Sequence, residues 1–272
     1  MFPDYHLHSF FSSDCDEKIE NIISSAKNKG LKSICITDHY DMDFPPLPDN
    51  PDMTFDLDTD EYFNYMSDIR TKHMDDFDLR IGVELGVMEE TCEKLNNYCS
   101  VHKEIDFFIA SSHLVDGLDP YYPEYFEGKS DLQAYYRYFE TILYNVKHFK
   151  GYNVYGHLDY ILRYGKNKAN NFYISDYKNL FEEIFKQIIY DGKGIEINTG
   201  SLYRGLDFAH PHIDILKMYK HLGGEIITIG SDAHDASHVG YGFDIAKNLL
   251  LDNGFKYYCT FKHQKETYNV ID

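Results

Sequence analysis

The sequence lacks any apolar run that approaches the length of a membrane span. It begins Met1-Phe2-Pro3-Asp4, without the basic start and apolar stretch of a secretory leader. We therefore expect neither a membrane helix nor a signal peptide. Glycine and proline are not enriched, and no low-complexity tract interrupts the 272 residues, of which 43% are hydrophobic. The chain thus has enough apolar material for a sizeable core, and disorder is not expected.

Paired cysteines and an excess of basic residues are also missing. The five cysteines are odd in number and form no Cys-x-x-Cys pair, which predicts reduced thiols and a cytoplasmic location. Lysine and arginine number 26 against 45 acidic residues, giving a net charge of −19. Such a field repels phosphate backbones, so we expect no nucleic-acid partner and no membrane partner. It suits cations instead, either bound metals or a substrate that carries an amine.

Strand-like and helix-like segments alternate from one end of the chain to the other. Seven segments have the nearly continuous apolar character of strands buried on both faces: 4–8, 32–38, 79–87, 106–113, 153–161, 194–199 and 225–231. The segments between them have helical spacing, as in 175–191, where Ser175 is a candidate cap. The tail 256–270 is predicted to add a short strand or to cover a barrel. The pattern predicts an α/β protein with a closed (β/α)7 barrel, and no linker divides residues 1–272 into more than one domain.

The long irregular segments all follow a strand and precede a helix. They are residues 40–60, 116–130, 163–174 and 201–212. In a parallel barrel such loops lie at the carboxyl ends of the strands, where active sites are built. This asymmetry predicts the functional face of the barrel.

Ligand-type side chains occupy the ends of six of the seven predicted strands. They occur in Asp4-Tyr5-His6-Leu7-His8, Thr37-Asp38-His39, Gly82-Val83-Glu84, Ser111-Ser112-His113, Gly156-His157-Leu158-Asp159 and Gly230-Ser231-Asp232-Ala233-His234. Each alone is commonly a structural histidine or a helix cap, but a barrel brings all the strand ends to one point. Buried charges there need partners or a metal.

The position of Asp14 leaves two interpretations open. It follows the first predicted strand, where it can cap the helix that starts near Glu17 or bind a metal, and Asp16 is an equally good cap. With Asp14 included, the candidate ligands exceed the roughly four to five that one zinc ion takes. They fit two or three ions, an arrangement typical of phosphoester hydrolysis by in-line displacement.

These motifs, in this order along the whole chain, resemble the PHP (polymerase and histidinol phosphatase) superfamily. Gly-His-Leu-Asp-Tyr-Ile-Leu-Arg-Tyr and Glu-Ile-Asn-Thr-Gly are similar to its histidinol-phosphatase branch, which hydrolyses L-histidinol phosphate in histidine biosynthesis. The resemblance implies a distorted (β/α)7 TIM-like barrel with a trinuclear metal centre. The implied metal ligands are His6, His8, Asp14, His39, Glu84, His113, His157, Asp232 and His234. The resemblance therefore favours Asp14 as a ligand.

The resemblance also implies how the ligands divide among the ions. His6, His8, Glu84 and Asp232 would hold the first ion. Glu84 would bridge to a second ion at His113 and His157, and Asp14, His39 and His234 would hold a third. The ions can be zinc, iron or manganese, because mixed ligands rich in histidine accept all three.

Two arginines follow strands on the predicted active face. Arg163 comes after the fifth strand and Arg204 after the sixth, and a guanidinium binds phosphate oxygens in a bidentate manner. Surface pairing with one of the many acids is the alternative. The resemblance implies phosphate binding by both.

The other polar residues near this face have weaker signals. His238 directly continues the last metal motif, so a role as general acid or in substrate contact is a candidate beside a structural one. His210 and His212 are similar candidates without a motif. Among the loop acids, Asp41, Asp43 and Asp119 are candidates for receiving a cationic amine, and nothing in the sequence distinguishes them.

The function predicted from the sequence is hydrolysis of a small phosphomonoester by metal-activated water, with histidinol phosphate as the substrate. One alternative is a related phosphoesterase that acts on another small phosphomonoester or a nucleotide. A second is a module associated with a DNA polymerase, which the acidic charge and the lack of a polymerase region disfavour.

Overall fold

The structure is a computed structural model that describes residues 2–272, in which six parallel strands alternate with helices. The strands are β1 Ser33–Tyr40, β2 Asp78–Gly86, β3 Phe107–Ser111, β4 Val154–Tyr155, β5 Gly194–Asn198 and β6 Ile227–Gly230. The helices are α1 Ile19–Asn28, α2 Thr59–His73, α3 Cys92–Val101, α4 Asp131–His148, α5 Lys178–Tyr190, α6 Gly200–Tyr203, α7 Ile213–His221 and α8 Phe243–Asp252. The strands pair in chain order from β1 to β6. Among the described residues, no helix has the length and apolarity needed to span a membrane.

The N-terminal segment lies between the two edge strands of this sheet. The backbone N–H of Cys35 donates to the carbonyl of Asp4 at 2.8 Å, and the N–H of Tyr5 donates to the carbonyl of Ile229 at 2.9 Å. Residues 4–8 therefore occupy the place of a seventh strand between β1 and β6. The predicted distorted (β/α)7 barrel is confirmed.

The first predicted strand is nevertheless irregular, with bridges at Asp4 and Leu7 only. Side chains replace carbonyls as acceptors here, since the carboxylate of Asp4 accepts from Ser231 N–H and Thr37 Oγ1 accepts from Leu7 N–H. The regular ladder is lost, but the backbone donors stay satisfied.

The fifth predicted strand is much shorter than expected, because β4 has two residues instead of the nine in 153–161. The N–H of His157 turns to the carboxylate of Glu196 at 3.2 Å, and a 3₁₀ turn then spans Tyr160–Arg163. The chain thus leaves the sheet early and carries Arg163 towards the cavity.

Two expectations about helix starts are wrong. Ser175 lies within a 3₁₀ turn, Ile174–Tyr177, and α5 begins after Tyr177 without a side-chain cap. Helix α1 starts at Ile19 after Lys18, also without a side-chain cap, so neither Asp14 nor Asp16 caps it. Asp14 is therefore available for other contacts.

The C-terminal tail forms an antiparallel hairpin of β7, Tyr257–Lys262, and β8, Lys265–Val270. The hairpin covers the amino ends of the strands, where the hydroxyl of Tyr5 donates to the carbonyl of Phe261 at 3.1 Å. The Phe107 and Phe261 rings lie 5.0 Å apart. This end of the barrel is sealed by packing, which leaves the carboxyl ends of the strands as the open face.

Candidate active site

The carboxylate of Glu84, at the end of β2, lies at the centre of a cluster of histidines. Its oxygens are 2.9–3.4 Å from ring nitrogens of five of them: His6, His8, His39, His113 and His157. Each comes from a different strand end, except the first two, which share the N-terminal segment. Convergence of the strand ends, expected from the sequence, accounts for this arrangement.

The remaining predicted ligands adjoin the same cluster. Asp232 Oδ1 lies 3.7 Å from His8 Nε2 and 3.6 Å from His234 Nδ1. Asp14 Oδ2 lies 3.2 Å from His234 Nε2 and 3.7 Å from His39 Nε2. The structure thus brings together all nine residues that the resemblance implied, hereafter the His/Asp/Glu cluster.

Several buried atoms of this cluster have no hydrogen-bond partner. His6 Nε2, His8 Nε2, His39 Nδ1 and Glu84 Oε2 are among the described buried atoms in this condition, although they lie close to one another. Buried polar atoms are normally satisfied, and unsatisfied ones are costly. Nitrogen and carboxylate oxygen atoms that converge without hydrogen-bond geometry fit the donor set of a divalent transition metal.

Four overlapping triads have ligand atoms within 4.8 Å of one another. They are His8, His39 and His234; His6, His8 and Asp232; His6, Glu84 and His157; and His39, Asp41 and His113. The overlap fits more than one ion. It also adds Asp41, which the resemblance did not include among the ligands.

Hydrogen bonds behind two of the rings fix their tautomers. His6 Nδ1 lies 2.7 Å from Glu196 Oε1, and His113 Nδ1 lies 2.6 Å from Asp41 Oδ2. An ionised carboxylate only accepts, so each Nδ1 donates, and Nε2 is the nitrogen that each ring would offer to a metal once the ring is neutral.

The ring of His8 is fixed through a serine. Ser12 Oγ donates its hydrogen to Asp38 Oδ1 at 2.6 Å, so His8 Nδ1, 3.1 Å from Oγ, must donate to it. Sequence reasoning missed Ser12, Asp38 and Glu196 and gave Asp41 a different role. For Asp38 and Glu196 the signal was a polar residue within an otherwise apolar strand, as in Gly-Ile-Glu-Ile-Asn; Ser12 lies in a loop and had no such signal.

The pKa values of the clustered acids reflect this surrounding. Burial acts to raise the pKa of Glu84, but His6, His39 and His113 lower it by more. The net pKa therefore lies well below its usual value. Burial also acts to raise the pKa of Asp232, but the positive charge of Arg204 lowers it, and the net pKa is again well below its usual value. These acids are carboxylates at neutral pH, as metal ligation requires.

Burial and neighbouring charges shift the pKa values of several clustered histidines, in both directions. Burial, with the neighbouring His234 and His39, lowers the pKa of His8 well below its ordinary value, and burial also lowers the pKa of His157. At His6, burial is outweighed by Glu196 and Glu84, which raise its pKa well above the ordinary value. His8 and His157 are therefore already neutral at pH 7, whereas His6 must lose a proton to bind a metal.

The two predicted arginines both border the cluster. The guanidinium of Arg163 lies 4.9 Å from the centre of the Tyr160 ring, and its buried Nε and Nη2 have no hydrogen-bond partner. Arg204 is more engaged, because Nη1 lies 2.9 Å from Asp232 Oδ2 and Nη2 donates to the Asp232 carbonyl at 2.9 Å. Arg163 thus has free donors, while Arg204 also holds Asp232 in place.

Seven residues of the cluster, all except His6 and His8, line the floor of a cavity of about 530 Å³. The walls come from the loops after β1, β3 and β4, and they are aromatic and acidic. The wall residues include Phe44, Asp49, Phe55, Asp119, Tyr121, Tyr122, Tyr160 and Tyr164. Burial raises the pKa of Asp119, the acid on the β3 loop. The cavity therefore has a floor suited to metals and walls suited to a flat cationic group.

Three other candidates lie apart from this arrangement. His238 stacks on Tyr203 with ring centres 4.0 Å apart and is not among the described cavity residues, so its catalytic role gains no support. His210 is buried and bonds Asp159 at 2.7 Å. Asp43 is exposed and pairs with Lys94, and it too is absent from the described lining.

The sequence is similar to proteins of one known family. The family model for the PHP domain matches residues 4–200. The histidinol-phosphatase of Lactococcus lactis is 31% identical over 96% of this chain and 95% of its own length. A probable histidinol-phosphatase of Clostridium acetobutylicum is 32% identical over 92% of each chain.

Solved structures show the same fold. The histidinol phosphate phosphatase of Lactococcus lactis, crystallised with zinc, L-histidinol and phosphate, matches with a TM-score of 0.87 at 30% identity over 98% of both chains. A putative histidinol phosphatase from Listeria monocytogenes matches with a TM-score of 0.76 at 20% identity, over 89% of this chain and 99% of that one.

Proposed function

Because this chain belongs to the PHP domain family and to its histidinol-phosphatase branch, we propose that it hydrolyses L-histidinol phosphate to L-histidinol and phosphate in histidine biosynthesis. The observation that carries the proposal is one cavity that combines the His/Asp/Glu cluster with the unpaired donors of Arg163. The first supplies ligands for metals, and the second supplies donors for phosphate. A phosphomonoester needs both in the same place.

The cluster would hold two or three divalent ions, namely zinc, iron or manganese. Support comes from its unpaired buried nitrogen and oxygen atoms and from the zinc in the Lactococcus lactis structure. Bound there, such ions stabilise phosphoryl charge as Lewis acids and provide a nucleophile from water at neutral pH. The ligands would be His6, His8, Asp14, His39, Glu84, His113, His157, Asp232 and His234.

Arg163 and Arg204 would bind the phosphoryl oxygens. Arg163 offers Nε and Nη2, the two donors of one guanidinium edge, and the Tyr160 and Tyr164 rings keep this group in place at 4.9 and 5.7 Å. Donors fixed before the reaction stabilise the charge that spreads over the equatorial oxygens in the transition state. No protein nucleophile is required, and burial raises the pKa of the nearby Cys15 thiol to about 12. Cys15 is therefore not a thiolate at neutral pH.

The walls of the cavity would bind the amine and imidazole of the substrate. Of the three acids considered from the sequence, Asp119 fits best, because it lines the cavity and its side chain accepts a hydrogen bond from Tyr121 N–H, at 2.8 Å. Asp41 is already paired with His113, and Asp43 faces Lys94. The aromatic rings of the walls offer stacking faces for an imidazole.

The decisive test compares L-histidinol phosphate with a panel of small phosphomonoesters and nucleotides, using zinc- or manganese-loaded protein. We expect kcat/KM to be highest for L-histidinol phosphate, with inorganic phosphate released in a 1:1 ratio to L-histidinol. A clear preference for another phosphomonoester would support the related phosphoesterase instead. Binding to DNA at physiological salt would contradict the expected absence of a nucleic-acid partner.

A cytoplasmic location remains part of the proposal. All five cysteines are buried and unpaired, which fits a reducing compartment.

A further inference from the structure

Glu196 lies on β5, the strand that supplies no residue to the His/Asp/Glu cluster. Its side chain is about 1% exposed, and its carboxylate accepts three hydrogen bonds. The donors are His6 Nδ1 at 2.7 Å, the N–H of His157 at 3.2 Å and Asn198 Nδ2 at 3.1 Å. Burying an ionised carboxylate is costly unless its oxygens are satisfied in this way. The contacts join β5 to the segments that carry two of the clustered histidines.

The neighbouring strands leave space for this carboxylate. A Cβ atom on Gly230, at the end of β6, would lie 2.4 Å from Glu196 Oε1 and 2.3 Å from His6 Cβ. A Cβ atom on Gly156, just after β4, would lie 3.3 Å from Glu196 Oε2 and 2.9 Å from Ser111 Oγ. Both strands thus have glycine where a side chain would displace Glu196 or its histidine partner. The absence of side chains at these two glycines therefore leaves room for the contact between Glu196 and His6.

We propose that Glu196 is a positioning residue that holds the His6 ring for metal binding and sets the affinity of the ion that His6 would bind. Because it accepts from Nδ1, the neutral ring would offer Nε2, which lies 3.0 Å from Glu84 Oε2, to the metal. A carboxylate acceptor also makes the imidazole a better electron donor than a neutral acceptor does. The hydrogen bond from His157 N–H to Glu196 fixes the backbone of His157, the second clustered histidine that Glu196 contacts. This inference rests on the proposed metal centre.

The test measures zinc affinity, with Glu196→Gln as the main variant. Glutamine keeps the size of the side chain and one acceptor but removes the charge. We expect the affinity of one zinc ion to fall about 10- to 100-fold, with the remaining zinc affinity unchanged. Metal-free protein is titrated with zinc against a chromophoric chelator, and bound zinc is counted by elemental analysis after dialysis. Saturating zinc should restore most of the kcat of the variant.

Thr228→Val is the matched control. Thr228 pairs in register with Glu196 on β6, is equally buried, and its hydroxyl has no hydrogen-bond partner among the described residues. The Thr228→Val variant should bind zinc as the wild-type protein does. A general loosening of the barrel would instead lower the zinc affinity of both variants. Equal zinc affinity of Glu196→Gln and wild-type protein would overturn this inference alone. A wild-type protein that binds no zinc would overturn the proposed function together with it.

Discussion

Replacing Arg163 by methionine should remove phosphate binding while leaving the fold intact. The side chain is held between the Tyr160 and Tyr164 rings, and Nη1 donates weakly to Tyr164 Oη at 3.4 Å. Nε and Nη2 are buried without partners. Methionine fills a similar volume beside the rings and removes the two donors that only a bound ligand would satisfy. The loss should therefore appear in catalysis and not in stability.

The expected size follows from the two donors. A hydrogen bond to a charged group contributes about 1.5–3 kcal/mol, so losing two costs the transition state about 3–6 kcal/mol. This corresponds to a fall in kcat/KM of about 10² to 10⁴. Lysine in place of Arg163 keeps one charged donor but not the fork, so about 10- to 150-fold should be lost. The free energy of unfolding should change by no more than about 1 kcal/mol, the size of a lost cation–π contact.

The assay is steady-state hydrolysis of L-histidinol phosphate, together with denaturant unfolding of each variant. Arg137→Met is the control. Arg137 lies on α4, pairs with Asp116 and Glu89, and is not among the described cavity residues. Its surface ion pairs contribute about 0–1 kcal/mol, and its activity should be unchanged. The reasoning is refuted if Arg163→Met retains kcat/KM within about threefold of the wild-type value. It is also refuted if the variant loses stability in proportion to activity.

Three further results are expected. Chelation should abolish phosphatase activity, and zinc or manganese should restore it; full activity with no bound metal would contradict the proposed centre. Burial raises the pKa of Asp119, so its carboxylate is protonated at a higher pH than an exposed aspartate would be. The KM of the wild-type protein should then rise as pH falls towards that pKa, and Asp119→Asn should have a high KM without this pH dependence. Folding disfavours the charged form of this group, so Asp119→Asn should not lose stability at neutral pH, as thermal unfolding can check. A Cβ on Gly86 would lie 2.2 Å from the Asp41 carboxylate, so Gly86→Ala should lose about 1–3 kcal/mol in denaturant unfolding, along with activity. Wild-type stability of that variant would show that Asp41 moves freely.

The alternation of apolar segments and helical patterns was enough to predict the barrel. It could not predict where strands stop, because side chains from elsewhere in the fold compete for backbone donors. The carboxylate of Glu196 takes the N–H of His157 and ends β4 early, and Asp4 takes the N–H of Ser231 beside the first segment. The sequence separation of these pairs is 39 and 227 residues. Local periodicity carries no information about such contacts.

The same distinction applies to the site. Strand-end logic predicted that eight of the clustered residues would meet, and the resemblance added Asp14. The structure brings all nine together, and their role as ligands remains a proposal. The roles of the residues behind them could not be predicted, because a serine or glutamate acquires its role from the ring that it contacts in the fold. Ser12 illustrates this, since it links Asp38 to His8 yet reads as an ordinary loop residue. His238 shows the opposite case. It is adjacent to a metal motif in the sequence, but in the fold its ring stacks on Tyr203.

A protein with a net charge of −19 that hydrolyses a phosphomonoester must reverse its field locally. Without metal, Asp14, Glu84 and Asp232 are carboxylates, because their pKa values lie below the usual range, and their charge is offset by Arg204 and by the histidines with raised pKa values, His6, His113 and His234. Two divalent ions already outweigh these three carboxylates, and three ions do so by a wider margin. A floor loaded with metal would thus attract the phosphate, while the acidic walls would attract the ammonium group. The opposite charges of the two ends would therefore orient the substrate before Arg163 contacts it.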